Sequence, residues 1–296
     1  MSNFVSPLLV AQAFGVSESS LKRWCDRGLI PSQRTAGGHR RLAVQDVVSY
    51  SRSSGQRLVR PELLGLPSTR KGGGDALIAE MSHLRESLTQ GNAEKCFETV
   101  VGLYARGHRV SEICDLVIAP ACREIGHQWE CGEIEVYQER RACELCLQTL
   151  AEVARLVLPA KGRGPVAIGG SAEGDPYSLP TRMVELVLRE QGWKSQSLGS
   201  SLPLETLLAA VNDLQPDLLW ISVSYISNRE QFLANYGTLF DHVKDRVAVV
   251  VGGQALDESM RRQMEYAAYC DNLQHLENFA EILKNSLRPR GRKAAR

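Results

Sequence analysis

No run of eighteen apolar residues occurs anywhere in the 296-residue chain, so no segment reads as a membrane-spanning helix. A basic-then-apolar leader is missing too, and the expectation is therefore a cytoplasmic protein with no membrane partner. Phosphate-cradling P-loops, nucleophile elbows and H-E-x-x-H helices are absent, which removes the common sequence signatures of catalysis. No catalytic residue is assigned. Cys143 and Cys146 form a C-x-x-C without a second ligand pair at zinc spacing. In that compartment the eight cysteines read as thiols, mostly core, with no assigned metal ligand. The alternative groups Cys131, Cys143, Cys146 and His127 around a metal or haem.

Net charge is small, only +1, but unevenly spread. Residues 1–60 hold nine lysines and arginines against three carboxylates, an excess of six that leaves −5 for the remainder. A basic head on an acidic body suits a protein that touches nucleic acid at one end. With 43% hydrophobic residues the chain has enough apolar surface for two or three cores.

The head is the most informative stretch. Leu8, Leu9, Ala11 and Phe14 recur at helical spacing and stop at Gly15. Ser17 then caps a second helix with Leu21, Trp24 and Cys25 inward and Ser19, Ser20, Lys22 and Arg23 on the opposite face. Gly28, Pro31, Gly37 and Gly38 break the next stretch of chain into a turn and a hairpin carrying Arg34, His39, Arg40 and Arg41. Helix, turn, helix and basic hairpin make a winged helix-turn-helix. In that arrangement Ser20 and Lys22 reach base edges in the major groove, and the wing arginines bind phosphate.

Residues 44–54 read as a third helix closing a domain over 1–54, and 55–75 as a flexible linker rich in Gly, Pro, Ser and basic residues. Residues 76–160 carry four amphipathic stripes, broken near Gly91, Gly107 and between Gly132 and Val136, which predicts a helical bundle. Trp129 falls on the third stripe and Tyr137 on the fourth. Over 161–287 the period changes to strand, helix, strand, as in VAIGG, DLLWISVS and VAVVVGG. Such alternation gives a doubly wound parallel α/β sheet, with ligands at the carboxyl ends of its strands. Residues 170–180, 222–228 and 252–256 are then the candidate loops, and 288–296 form a basic tail. The expected class is multidomain α and α/β.

The segment VSESSLKRWCDRGLIPSQRTAGGHRRL closely resembles the winged helix of MerR-type transcription regulators. An excisionase-like architectural protein shares that head, but the long remainder argues against it. The bundle and the sheet resemble the cobalamin-binding module of methionine synthases and corrinoid proteins. Taken whole, the chain is similar to the light-responsive, cobalamin-dependent repressors of carotenoid genes (CarH/LitR type).

That resemblance implies an oligomeric repressor, dimeric or larger, binding double-stranded promoter DNA through repeated half-sites. It also implies a corrin contacted by Trp129 and Glu139, with Arg140 where the family has His. The family's axial-ligand motif Asp-x-His-x-x-Gly reads Asp175-Pro-Tyr177-Ser-Leu-Pro180 here, putting a phenol in the imidazole's place. Two readings of the sensor stay open. Either cobalamin binds without protein coordination, held by Ser222, Ser224, Gly252 and Gly253, or the body has passed to another tetrapyrrole or to a protein partner. A corrinoid carrier for a methyltransferase is a further alternative.

Overall fold

Two serines start the first two helices in the same way. Ser6 Oγ accepts the N–H of Leu9 at 3.4 Å to open α1 (Pro7–Phe14), and Ser17 Oγ accepts that of Ser20 at 3.2 Å to open α2 (Glu18–Asp26). The computed structural model describes residues 4–67, 75–159, 162 and 164–287. It divides into two compact units, 1–158 and 159–296.

In the first unit β1 (Phe4–Val5) pairs antiparallel with β3 (Arg40–Ala43), which pairs in turn with β2 (Gln33–Arg34). Strand β1 is only two residues long, too short to leave a period in the sequence. Phe14, Trp24 and Tyr50 meet at ring-centroid distances of 5.1–6.0 Å and pin α1, α2 and α3 (Val44–Ser54) together.

The expected flexible linker needs correction over its described part. Leu58, Pro61, Leu64 and Leu66 are buried, Pro61–Leu64 form a 3-10 turn, and Ala13 O accepts the N–H groups of Val59 and Arg60 at 2.7 and 3.0 Å. Four apolar residues spaced for burial outweigh the Gly, Pro and Ser among them, so the segment packs on α1. Residues 68–74, the Gly-rich part of that linker, and the basic tail 288–296 lie outside the described residues.

The bundle comprises α4 (Asp75–Gln90), α5 (Ala93–Ala105), α6 (Val110–Ile113), α7 (Ala119–Glu130) and α8 (Val136–Leu156). A π turn, Cys114–Ile118, joins α6 to α7. Pro120 has no N–H to give the carbonyl four residues earlier, and the wider turn accommodates the gap. Leu84, Leu88, Val100, Val117, Ile125, Leu145, Leu150 and Val153 fill the interior. Trp129 and Tyr137, placed on inward stripes by the sequence, are 42% and 61% exposed. Both lie at the loop end of the α7–α8 hairpin, Trp129 in the last turn of α7 and Tyr137 in the first turn of α8.

Head and bundle are joined within this unit. Arg52, in the last turn of α3, donates to the carbonyls of Tyr104 and His108 at 2.6 and 2.8 Å. Its guanidinium also lies 4.0 Å from the centroid of the Tyr104 ring. The Tyr104 carbonyl lies in the last turn of α5, where the helix dipole favours a cation, and that of His108 in the loop that follows.

The second unit holds a five-stranded parallel sheet of order β5-β4-β6-β7-β8. The strands are β4 (Val166–Ser171), β5 (Lys194–Ser197), β6 (Leu218–Ser222), β7 (Ala248–Gly252) and β8 (Ala268–Cys270). Strand β8, only three residues long, is the one the sequence pattern did not reveal. Helices α9 (Leu179–Glu190) and α13 (Leu273–Leu287) pack together, as do α10 (Leu204–Leu214) and α11 (Arg229–Val243); α12 (Glu258–Arg261) is a single turn. Leu218, Leu219, Val249 and Val251 are buried on both faces of the sheet, as parallel strands require. The buried indole Trp220 donates to Thr181 Oγ1 at 2.8 Å and leaves no room for a side chain at Gly169, whose added Cβ would meet Trp220 O at 2.1 Å.

Arg52→Ala is expected to cost about 2 kcal/mol in unfolding free energy, the scale of charge-assisted hydrogen bonds to half-buried carbonyls. Arg52→Lys recovers only part of it, because an ammonium can bond the carbonyls but lacks the planar guanidinium that lies over the Tyr104 ring. Urea unfolding of the full chain checks both.

Candidate functional site

Two sites emerge, one in each unit. In the head, Lys22 and Arg23 on α2 are exposed, as are Ser19 before them and Arg34, Gly38, His39 and Arg41 on the wing. Ser20 is half-buried, its hydroxyl 3.0 Å from Ser17 Oγ at the helix start. Arg40 does not stand free. Its guanidinium meets Asp26 Oδ1 at 2.5 Å, and its side chain is 21% exposed. The pair fastens the wing, where a phosphate role was expected of Arg40, to the end of α2. Asp26, which in the sequence is one carboxylate among cations, is the partner. Only the fold brings it next to a residue fourteen positions away.

At the bundle's open end Glu139 is buried, its carboxylate 3.3 Å from Arg140 Nε and 3.5 Å from the Cys143 thiol, which donates to it. Burial, with the nearby Cys122 and Glu139, pushes the Cys143 thiol up to about 12. His127 faces Glu130 and Cys131 at the surface, whereas Cys146 lies 3.7 Å from Cys122 inside. The alternative that gathered Cys131, Cys143, Cys146 and His127 is therefore overturned. Among the described residues no group of three or more His, Cys, Asp or Glu side chains is placed to hold a metal ion.

In the second unit the strand order reverses between β4 and β6, and in such sheets ligands bind beyond the carboxyl ends at that point. Asp175 sits there, fully buried on the loop after β4. It accepts the backbone N–H of Tyr177 at 3.0 Å and, across the switch point, that of Ser224 at 2.6 Å, with Tyr225 N–H also bonded to it. Burial outweighs these three donors, so the carboxyl titrates above its ordinary value. The folded chain then holds this proton to higher pH than the unfolded chain, and the contribution to stability falls as pH rises through the raised value.

Around Asp175, Tyr177 is half-buried and Ser222 buried, with the carbonyl of Ser222 accepting the N–H of Ala172 at 3.3 Å. Gly252 and Gly253 were expected to cradle a ligand. In the structure a Cβ on Gly253 would strike Val223 O at 2.2 Å and one on Gly252 would meet Cys270 O at 2.8 Å. Both glycines let neighbouring backbones close on each other. Two residues that sequence reasoning missed complete the rim. Ser171 Oγ donates to Asp175 O and accepts the N–H of Ser201, and Ser201 Oγ accepts the N–H of Gly174. Ser201 holds φ +54, a left-handed backbone rare outside glycine, and the only local signal was the Gly-Ser-Ser run ending the loop after β5.

Three family models match this chain. Residues 9–41 match MerR family regulatory protein, and residues 82–153 and 165–281 each match a B12 binding domain. The HTH-type transcriptional repressor CarH of Myxococcus xanthus is 24% identical over 264 residues, covering 83% of this chain and 88% of that protein. The trimethylamine corrinoid protein of Methanosarcina barkeri is 27% identical over 180 residues, covering 57% of this chain and 80% of the relative. The solved structure of the Methanosarcina barkeri monomethylamine corrinoid protein has the same fold over 71% of this chain and 99% of its own, with a TM-score of 0.59 at 18% identity. The chain thus joins a MerR-type head to a B12-binding-type body.

A corrin's cobalt takes a neutral nitrogen donor readily and a phenol poorly. The carboxyl edge presents hydroxyls and backbone groups after β4 and β6, and the carboxylate that would orient an imidazole is occupied by backbone N–H groups. Of the imidazoles described in this unit, His242 lies on α11 with its Nδ1 2.7 Å from Thr238 O, and His275 opens α13 beside Asp271 at 3.6 Å. Neither stands on the loops after β4 or β6. The residues here do not fit a cobalt ligated by the protein at the switch point.

Asp175→Asn is expected to lower unfolding free energy by about 1–3 kcal/mol, because an amide turns a donor toward N–H groups already seeking an acceptor. It also removes the part of the pH dependence that rises from this carboxyl. Urea unfolding at several pH values between 4 and 7 measures both.

Proposed function

We propose that this chain is a cytoplasmic transcription regulator that binds promoter DNA through its winged helix and reads a signal through its B12-binding-type body. The observation that carries the reading is the Arg40–Asp26 pair, which holds a wing bearing exposed Arg34 and Arg41 against the helix bearing exposed Lys22 and Arg23. Lys22 enters the major groove, and Arg23, Arg34 and Arg41 neutralise phosphates. A head this small makes few base contacts, so useful affinity comes from two or more chains on repeated half-sites. The likeness to a transcriptional repressor over most of both chains favours repression. Acting on DNA, it needs no chemistry of its own, and no catalytic role is assigned to any residue.

For the body, the reading is a flat tetrapyrrole or corrin held by surface contact at the carboxyl edge of the sheet, with Tyr177 and Ser224 on the rim as its contacts. When bound, a cobalamin would supply a light-sensitive or redox-active cobalt centre. This chain's own residues would bury and orient the ring without bonding the metal.

Absorbance spectra of the purified protein with adenosylcobalamin, methylcobalamin, haem and biliverdin test this. A retained cobalamin is expected to keep the spectrum of the free cofactor with its own base attached, and a displaced base would overturn the reading. Retention of none of the four would overturn tetrapyrrole binding altogether.

Arg41→Ala is expected to reduce the slope of log affinity against log salt by about one, the share of one phosphate contact. Arg40→Ala weakens binding with the slope nearly unchanged, since it frees the wing without removing a phosphate partner. Filter binding or fluorescence anisotropy from low to moderate salt separates the two. On the same fragments, paired half-sites should bind at least about a hundredfold tighter than a single one. Equal affinity would exclude the multivalent grip.

A further inference from the structure

Cys122 on α7 and Cys146 on α8 bring their sulfurs to 3.7 Å, the thiols sharing a weak hydrogen bond across the helix pair. Cys143, one turn away from Cys146, donates to the carboxylate of Glu139 at 3.5 Å. Seven residues separate Cys122 from Trp129 and seven separate Glu139 from Cys146. Seven residues are about two helical turns, so each sulfur lies on the same face as its partner residue. The sulfur pair therefore sits two turns below the end of the hairpin that carries Trp129 and Glu139.

We propose that Cys122 and Cys146 form a reversible oxidation site whose disulfide ties α7 to α8 and resets the separation of Trp129 and Glu139. The sulfurs need to approach by roughly 1.7 Å to reach bonding distance, within the reach of side-chain rotation. Cys122 is half-buried and open to a small oxidant, whereas Cys146 is buried. The hydrogen bond shared with Cys122, together with burial, raises the Cys146 thiol well above its ordinary value, and Cys122, the more accessible of the two, is the sulfur an oxidant reaches first.

The oxidant class is a peroxide. Cys122 Sγ, as thiolate, attacks one peroxide oxygen: an S–O bond forms, the O–O bond breaks, and the leaving oxygen departs as water, giving a sulfenic acid. Cys146 Sγ then attacks the Cys122 sulfur, the S–S bond forms, and the S–O bond breaks to release a second water with the Cys146 proton. Two thiols are oxidised by two electrons, and one hydrogen peroxide is reduced to two waters. A thiol reductant reverses the bond by exchange. In a reducing compartment disulfides are short-lived and serve sensing, which suits a pair inside a signal-reading body. This chemistry stands whether or not a tetrapyrrole binds.

The test uses the full reduced chain, exposed to hydrogen peroxide at neutral pH, alkylated, and mapped by tandem mass spectrometry. A Cys122–Cys146 linkage reversed by dithiothreitol is expected. Cys122→Ser should slow the loss of the Cys146 thiol at least tenfold, and Cys131→Ser should leave it unchanged. Circular dichroism verifies that the variants fold, and Cys122→Ala serves if Cys122→Ser does not. The oxidised form should also differ from the reduced form in the fluorescence component that Trp129→Phe removes. Oxidation confined to exposed Cys131, oxidation of Cys122 without linkage, or linkage with no change at Trp129 would each overturn the proposal.

Discussion

The buried carboxylate of Asp175 decides what the α/β body is able to do. Its oxygens are taken by backbone N–H groups from its own loop and from the loop after β6, so they clamp the two sides of the switch point together. A carboxylate so placed, free to accept from an imidazole, would orient a metal ligand. Here Tyr177 stands where an imidazole would need to be, and the carboxylate has turned to the backbone. The loops keep their shape without any metal bond. That explains how a B12-binding-type sheet persists in a chain whose donor set no longer suits protein-ligated cobalt.

The head obeys a related economy of charge. Of the wing's cations, one is taken by Asp26, and that pairing fixes where the others point. An arginine paired inside the protein contributes little to phosphate affinity but sets the angle at which its neighbours meet a duplex. Behind the wing, Arg52 joins the last turn of α3 to the end of α5. Residues 58–66, which follow α3, pack on α1. Head and bundle fall in one compact unit, with Arg52 bonded across them.

Inside the bundle, helices α7 and α8 carry both the exposed Trp129 with the buried Glu139 and a pair of thiols 3.7 Å apart. Exposed Trp129 and buried Glu139 end one hairpin, and the sulfurs of Cys122 and Cys146 lie two turns below. Antiparallel helices packed at their interfaces shift as rigid rods, so a change of spacing at one level is felt at the other.

Much of this was legible in the chain itself. Capping serines, stripe spacing and the glycines at 15, 91 and 107 placed helix boundaries, because local backbone preferences act over a few residues. Alternating strand and helix periods implied the doubly wound sheet, and the substitution of Tyr177 for an imidazole is a fact of sequence alone. What the periods could not reveal were contacts between residues distant along the chain or features shorter than a period. Strands β1 and β8, the Arg40–Asp26 pair and the Ser171–Ser201 rim belong to that class. The packing of residues 55–67 and the burial of Glu139 likewise awaited the fold, since composition and local spacing do not say which surface a segment will meet. Only the tertiary structure, by closing backbones against each other at Gly253 and turning Asp175 to its N–H donors, decided that these positions serve the scaffold.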